Sequence, residues 1–153
     1  MKIQIATMYP EVKLPSYAHP TDSGMDLHFY DPYMKEQAIF SNQTEILKTG
    51  IMISIPEMPA EQDFQWEIQI RPKSGLASKK KLIVLNTPGT VDQPYRGEIM
   101  VIMHNHDQHF HIIKQGQKIA QLVLAKSYRI QWELVDKLDE TQRGAGGFGS
   151  TGA

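Results

Sequence analysis

The sequence of 153 residues contains no cysteine, and this absence excludes several kinds of protein. A disulfide scaffold, a thiolate zinc site and a cysteine nucleophile are all ruled out. The chain also lacks an excess of charge, because 16 Lys and Arg nearly balance 17 Asp and Glu and leave a net charge of -1. It therefore has no overall field that would draw it to nucleic acid or to an anionic membrane, so any anion site must be local.

Long apolar runs are missing as well. Residues 1–7 alternate polar and apolar side chains, and no later stretch is long enough to span a bilayer. We therefore expect no export signal, no membrane anchor and a cytoplasmic location. The length fits one domain of ordinary size, with a real core but without room for a second domain.

What the chain does contain is a series of short segments with a period of two, which is typical of half-buried strands. The predicted strands are residues 3–5, 51–55, 64–71, 82–85, 99–103, 110–113, 119–124 and 130–135. One short helix is predicted from Ser74, a candidate N-cap, to about residue 80. Nine prolines argue against long helices elsewhere. The pattern predicts an all-β sandwich, jelly roll or barrel.

The C-terminal residues 143–153 are rich in glycine. Ordering many glycines costs much backbone entropy, so we predict a flexible tail that becomes ordered only when it binds something. Its cation (Arg143), its ring (Phe148) and its two hydroxyls (Ser150 and Thr151) suit an anion attached to a flat ring. The spacing satisfies G-x-G-x-x-G, but no helix follows, so a dinucleotide-binding fold is not indicated. A terminus without a role is the alternative.

Two internal segments have the residues of a nucleotide site. Residues 71–77 carry Lys73 and Ser74 where a strand meets the predicted helix, a place that favours a phosphate, although a simple serine-capped turn has the same residues. Residues 86–98 form a predicted hairpin with Asp92 and Tyr95. An exposed hairpin backbone can pair with a planar base, and a solvated turn is the structural alternative.

Three further features are weaker when taken singly. Asp26 follows a small-residue turn and would need partners to bind a metal. Gln121 is a polar residue in an apolar run and must find hydrogen bonds. Four histidines surround a predicted turn and could bind zinc, although exposed histidines are the favoured interpretation: His104, His106, His109 and His111.

In their order and co-occurrence, these motifs resemble those of the homotrimeric dUTPase (deoxyuridine 5'-triphosphate nucleotidohydrolase) family. The five motifs are residues 23–27, 71–77, 89–98, 116–122 and 143–152, so the resemblance covers nearly the whole chain. It implies one distorted β-barrel or jelly-roll-like domain over residues 1–142, with a tail at 143–153 that closes over an active site. It also implies a homotrimer in which each active site takes the hairpin and the tail from different subunits.

The implied reaction converts dUTP and water to dUMP and pyrophosphate, with Mg²⁺ on the triphosphate. Such a reaction keeps uracil out of DNA and supplies dUMP for thymidylate synthesis. By similarity, Asp92 is the general base that activates the water for in-line attack on the α-phosphorus. Asp26 resembles the carboxylate that holds the magnesium ion through water.

The resemblance also assigns the substrate contacts. The uracil edge is read by the backbone of Thr90, Val91 and Met100 together with the Asn86 side chain, while Tyr95 packs on the deoxyribose. The phosphate contacts are Lys73, Ser74, Gly75 and Gln121, with Arg143 on the γ-phosphate. From the tail, Phe148 stacks on uracil, and Gly149, Ser150 and Thr151 provide donors.

Some positions differ from the usual family pattern. Lys73 stands where an arginine is common, Pro94 replaces a frequent acidic residue, and the loop of residues 56–64 is longer than typical. Two alternatives remain open within the same fold. One is an enzyme similar to dCTP deaminase, and the other is a catalytically silent nucleotide-binding regulatory module.

Overall fold

The computed structural model describes residues 2–147. Within them the chain is mostly β, with eleven strands and one short helix. In chain order the elements are β1 Gln4–Thr7, β2 Met25–His28, β3 Glu36–Ile39, β4 Thr44–Leu47, β5 Ile51–Ser54, β6 Phe64–Pro72, α1 Ser74–Lys80, β7 Leu82–Val84, β8 Gly89–Val91, β9 Val101–Asn105, β10 His111–Lys114 and β11 Lys118–Tyr128. The prediction of an all-β fold with one short helix is confirmed.

The strands form four sheets, and every strand pair is antiparallel. The largest sheet has the order β2-β11-β6-β8, and a three-stranded sheet has the order β4-β9-β7. The pairs β1-β5 and β10-β3 make two smaller sheets. Within residues 2–147 none of these sheets closes into a barrel, so the jelly-roll form of the prediction fits better than the barrel form.

The core is built from the apolar positions of the alternating strands. In β5, Ile51 and Ile53 are buried while Met52 and Ser54 are only half-buried. The largest fully buried side chains are Phe29, Leu27, Ile39, Leu47, Ile51, Ile55, Ile68, Leu82, Ile99, Met103, Ile113 and Ile119. No helix in the described part of the chain has the length and apolar composition needed to cross a membrane.

The prediction of a strand at residues 130–135 is wrong. β11 ends at Tyr128, and no strand is found from residue 129 to residue 147. Trp132 is 88% exposed and Leu134 is 100% exposed, although the apolar residues alternate as in a half-buried strand. The alternation predicts a buried face, and the described part of this chain provides nothing that buries it.

The helix α1 begins one residue earlier than a serine cap at Ser74 would require. Lys73 occupies the N-cap position and makes no side-chain cap hydrogen bond, while Ser74 is already helical. The capping role that the sequence suggested for Ser74 is therefore not found. The helix ends at Lys80, because the next residue, Lys81, has a left-handed φ of 50° that stops the α-helical repeat.

Gly50 is a position where only glycine fits, and this leads to a prediction about stability. Its φ is +68°, and an added Cβ would lie 2.5 Å from a methyl carbon of the buried Val12.

We expect Gly50→Ala to lower the free energy of unfolding by about 1–3 kcal/mol. The control is Gly75→Ala in α1, where no atom lies within 4 Å of the added Cβ. Because alanine suits a helix better than glycine, this control should gain about 0.5–1 kcal/mol. Urea denaturation measures both variants, and wild-type stability of Gly50→Ala would contradict the prediction.

Candidate active site

Three of the sequence motifs meet on the four-stranded sheet. Because β11 lies between β2 and β6, Gln121 faces Asp26 on one side and Arg71 on the other. Lys73 follows the end of β6, and its Nζ binds Oδ1 of Asp26. The structure therefore brings the first, second and fourth motifs together. We call Asp26, Lys73, Lys118 and Gln121 the Asp26 cluster.

The Asp26 carboxylate lies between two lysines, and its side chain is only 4% exposed. Lys118 Nζ lies 2.6 Å from Oδ2, while Lys73 binds Oδ1. Burial alone would raise the pKa of this carboxyl, but the hydrogen bonds and charges of Lys118 and Lys73 outweigh it and hold the pKa below its usual value. Asp26 is therefore ionised at neutral pH, with both oxygens engaged by ammonium groups.

Lys118 was not singled out by the sequence analysis. It lies in the fourth motif, two residues after Gly116, and it pairs with His28 in the register of β11 against β2. This register places its side chain next to Asp26 on the same sheet. In the sequence, the only indication of a role for Lys118 is its position close behind a turn. That position does not indicate that Asp26 is its partner.

The remaining phosphate candidates lie at open positions around this cluster. Ser74 and Gly75 begin α1, both are exposed, and a Cβ added to Gly75 would meet no atom within 4 Å. The Gln121 side chain is half-buried and has no hydrogen-bond partner within residues 2–147. These groups are therefore free to bind a ligand.

Residues 86–98, the segment predicted as a hairpin, form a second group of candidates around a pocket of about 260 Å³, which we call the hairpin pocket. β8 pairs with β6, and β9 pairs with β4 and β7, so within residues 2–147 the strands before and after Asp92, β8 and β9, do not pair with each other as a hairpin between them would require. We keep the word hairpin as a name for residues 86–98. The lining of the hairpin pocket consists of Ile46, Thr90, Val91, Asp92, Tyr95, Glu98, Ile99, Met100 and Ile102. The pocket therefore brings together the predicted base-contacting residues Thr90, Val91 and Met100 with Tyr95 and Asp92.

Hydrogen bonds fix the shape of this hairpin. The Tyr95 hydroxyl donates to the Glu98 carbonyl at 2.9 Å, and the Tyr95 amide donates to the Asp92 carbonyl at 3.1 Å. A side chain at Gly97 would collide with the Tyr95 ring, so the glycine allows the ring to lie against the hairpin. The Glu98 carboxylate accepts bonds from the Thr49 amide at 3.1 Å and the Gly50 amide at 2.8 Å.

Asn86 lies at the other end of β8 from Asp92. A Cβ added to Gly89 would lie 3.1 Å from Asn86 Nδ2, so the glycine leaves room for this amide against the start of β8. Asn86 is exposed and does not line the hairpin pocket. Its role in reading uracil stays a prediction.

The register of β6 sets the distance between the two groups of candidates. Val91 pairs with Ile68, so the next residue, Asp92, lies beside Glu67, and both line one cavity of about 390 Å³. From Glu67 to Lys73 the chain advances six residues, or roughly 20 Å at a strand rise of about 3.3 Å per residue. Within one chain, Asp92 and the Asp26 cluster are therefore too far apart to act on the same phosphate group.

Arg143 lies in an exposed segment, residues 129–147, in which every residue is exposed. Its Nε donates to the Gly146 carbonyl at 3.0 Å, the only hydrogen bond of its side chain within residues 2–147. The structure therefore does not bring Arg143 to either group. The other tail residues that the resemblance assigned lie outside the described residues: Phe148, Gly149, Ser150 and Thr151.

The histidines near the β9–β10 turn have partners of other kinds. His111 Nε2 lies 3.1 Å from an Asp107 carboxylate oxygen, and His104 Nδ1 lies 2.9 Å from the Thr44 hydroxyl. The backbone N–H of Gln108 and the contact with His111 hold the pKa of Asp107 below its usual value. In the part of the chain that the structure describes, no three His, Asp or Glu side chains lie close enough to share a metal ion.

Comparison with known proteins places these features in a family. A model of the dUTPase family matches residues 10–152. The deoxyuridine 5'-triphosphate nucleotidohydrolase of Picosynechococcus sp. is 43% identical over 152 residues, which are 99% of this chain and 99% of that protein.

Two solved structures share the fold. A mutant dUTPase of Staphylococcus bacteriophage 80alpha with dUpNHpp has a TM-score of 0.79 at 21% identity over 99% of each chain. A mutant dUTPase from phage phi11 of S. aureus, described with a structural Mg(II) ion, has a TM-score of 0.76 at 19% identity over 92% of this chain and 100% of that one. The chain belongs to the dUTPase family.

Proposed function

We propose that the chain hydrolyses dUTP to dUMP and pyrophosphate. The observation that supports this best is the hairpin pocket, in which Thr90, Val91, Tyr95 and Met100 line one cavity with Asp92. A pocket of this size is close to the lower end of ligand pockets and suits a pyrimidine nucleoside better than a large ligand. The relatives that share the family act on the same substrate by name.

Asp92 is suited to act as the general base. Its side chain is exposed, and within residues 2–147 its carboxylate makes no hydrogen bond and no ion pair. A carboxylate without a partner can bind a water molecule and accept its proton. The water oxygen forms a bond to the α-phosphorus while the bond to the bridging oxygen breaks, so pyrophosphate leaves and the proton stays on Asp92.

The edge of β8 is suited to reading the uracil edge. β8 is the last strand of its sheet, so its outer backbone groups have no strand partner in the described part of the chain. Such an edge can pair with the amide-like face of uracil as it would with a strand. Cytosine presents the wrong donors and acceptors, which leaves groups unpaired at about 1–3 kcal/mol each. The 5-methyl group of thymine needs space that a tight hairpin does not leave.

We further propose that the active site is shared in a homotrimer. The separation of roughly 20 Å between Asp92 and Lys73, from the strand rise along β6, means that one chain alone does not complete the site. The exposed apolar side chains of Trp132 and Leu134 support this, because alternating apolar residues that nothing in the described part of the chain buries suit burial against another subunit. The tail that follows this segment then serves a neighbouring site.

Mg²⁺ is the proposed cofactor, and when bound it would neutralise charge on the triphosphate. The fit of this chain to the ion is limited, because both oxygens of Asp26 are bound by lysines and its side chain is 4% exposed. The role of Asp26 in holding the metal through water therefore stays a prediction. Magnesium usually keeps several waters and binds substrate phosphates. Apart from those waters, oxygen atoms of the triphosphate would therefore supply most of its ligands.

Tyr95 should exclude ribonucleotides. Its hydroxyl is held by the Glu98 carbonyl, so the ring forms a rigid wall of the hairpin pocket. Tyr95→Ala should therefore admit UTP and lower the preference for dUTP over UTP by about 10-fold or more. Tyr95→Phe keeps the ring and is the matched control. The ratio of kcat/KM for the two substrates measures the effect, and unchanged discrimination in Tyr95→Ala would count against this role.

The activity is tested by measuring pyrophosphate release from dUTP, dTTP, dCTP and UTP, with and without Mg²⁺. Release from dUTP alone, and less of it without the ion, is the expected result. Ammonia release from dCTP would indicate a deaminase instead. Binding of dUTP without any release would indicate a silent regulatory module, and either outcome would overturn the proposal.

A further inference from the structure

Among residues 2–147 the Asp92 carboxylate has no partner that fixes it, so its position there depends on the backbone turn that carries it. This turn runs from Asp92 to Tyr95 and is closed by the Tyr95 amide on the Asp92 carbonyl at 3.1 Å. Arg96 Nη1 donates to the carbonyls of Gln93 and Tyr95. These bonds keep the turn compact, but they all lie inside the hairpin and would move with it.

One bond links the turn to the core. Gln93 Nε2 donates to the carbonyl oxygen of Ile55 at 3.0 Å. Ile55 is 2% exposed and directly follows β5, so it is a rigid anchor. Within residues 2–147 this is the only hydrogen bond that joins residues 92–97 to a residue outside the hairpin. The pairing of β8 with β6 ends one residue earlier, at Val91.

Gln93 also lies between two cavities. One, of about 390 Å³, is lined by Asp92 and Glu67, and the other, of about 600 Å³, is lined by residues 57–60 and 62 of the long loop. Gln93 lines both cavities. The loop of residues 56–64, for which the sequence suggested no role, begins immediately after the carbonyl that Gln93 binds.

We propose that Gln93 is a positioning residue, and that its bond to Ile55 holds the Asp92–Tyr95 turn so that Asp92 stays at the rim of the hairpin pocket. The inference rests on the proposed function, because it assumes that Asp92 activates the water. The proposal also means that Ile55, the residue immediately before the long loop, supports the turn that carries Asp92. A small displacement of a catalytic group is sufficient to slow a reaction strongly, so one hydrogen bond at this point has a large effect on rate.

The test compares Gln93→Met with wild type. Methionine has nearly the same shape and no charge, but it cannot donate to the Ile55 carbonyl. We expect kcat for dUTP to fall by about 10-fold to 100-fold, because Asp92 is no longer held in place. KM should stay within about twofold, since Gln93 does not line the hairpin pocket. The matched control is Gln37→Met on β3, which removes a similar bond from Gln37 Nε2 to the Ala38 carbonyl at 3.1 Å.

A second measurement does not require activity. Hydrogen exchange of the Tyr95 amide, which closes the turn, should become faster in Gln93→Met and stay unchanged in Gln37→Met. A wild-type kcat in Gln93→Met would overturn the proposal, and so would an unchanged exchange rate of the Tyr95 amide. If the wild-type chain releases no pyrophosphate from dUTP, the proposed function fails, while the exchange measurement still decides whether Gln93 holds the turn.

Discussion

Replacing Asp92 with asparagine should lower kcat for dUTP hydrolysis by about 10²-fold to 10⁴-fold, the usual contribution of a general base. The amide has the size of the carboxylate but cannot accept a proton from water. Because Asp92 is exposed and has no partner within residues 2–147, its replacement should leave the hairpin intact. Affinity for the nucleotide should therefore persist, since the interaction lost is one made with the attacking water.

The measurement is steady-state pyrophosphate release, together with equilibrium binding of dUpNHpp. Glu36→Gln is a suitable control, because Glu36 is an exposed acid on β3, outside both groups of candidate residues. This control should keep wild-type kcat. Near-wild-type turnover by Asp92→Asn would remove Asp92 from the role of base and would leave the hairpin pocket as a binding site only.

The part of the fold that sequence alone predicts is the part with clear alternation. β5 and β6 alternate over four and nine residues, so their period of two is visible in the sequence. β3 and β4 were missed, because each has four residues and only the last is buried. Edge strands often carry polar residues on both faces, and a pattern of hydrophobicity cannot show them. Their existence follows from pairing with β10 and β9, which is not local in sequence.

Contacts between strands that are distant in sequence also limit what can be predicted of the site. Thr90, Val91, Asp92 and Tyr95 are neighbours in sequence, so a hairpin over residues 86–98 already placed them together. The contact of Asp26 with Lys118 depends instead on the register of β2 against β11, which shifts between Lys118 and Ala120. A slip of one residue in a strand moves every side chain to the other face. No local pattern determines such a shift, and Lys118 was therefore not predicted.

The error at residues 130–135 has a different cause. The alternation of Ile130, Trp132 and Leu134 predicts a half-buried strand, but no strand forms there, and these side chains are 69%, 88% and 100% exposed. A period of two indicates that one face of a segment is suited to burial. It does not indicate whether the surface that buries this face belongs to the same chain or to another subunit. The homotrimer that we propose would provide the missing surface on a neighbouring subunit. It would also place Arg143 at an active site of another subunit.

Deletion of residues 143–153 should therefore abolish most activity without unfolding the protein. We expect kcat to fall by about 10²-fold or more, because the groups that position the triphosphate are lost. The thermal unfolding midpoint should stay unchanged, since residues 129–147 are exposed and, within residues 2–147, the Arg143 side chain bonds only Gly146. Ordering the tail costs about 1–2 kcal/mol per residue, so it should close only when substrate provides partners for it. Full turnover by the truncated chain would show that the tail is dispensable.

Mixed trimers decide where the tail acts. Chains that lack residues 143–153 have an intact Asp92, and Asp92→Asn chains have an intact tail, so each alone is nearly inactive. If a site takes Asp92 from one subunit and the tail from another, co-expression in equal amounts gives about a quarter of sites with both parts intact, by random assembly of a cyclic trimer. Activity should then recover to roughly that fraction of wild type. If both parts came from the same subunit, every site would lack one of them, and no recovery would be observed at any mixing ratio.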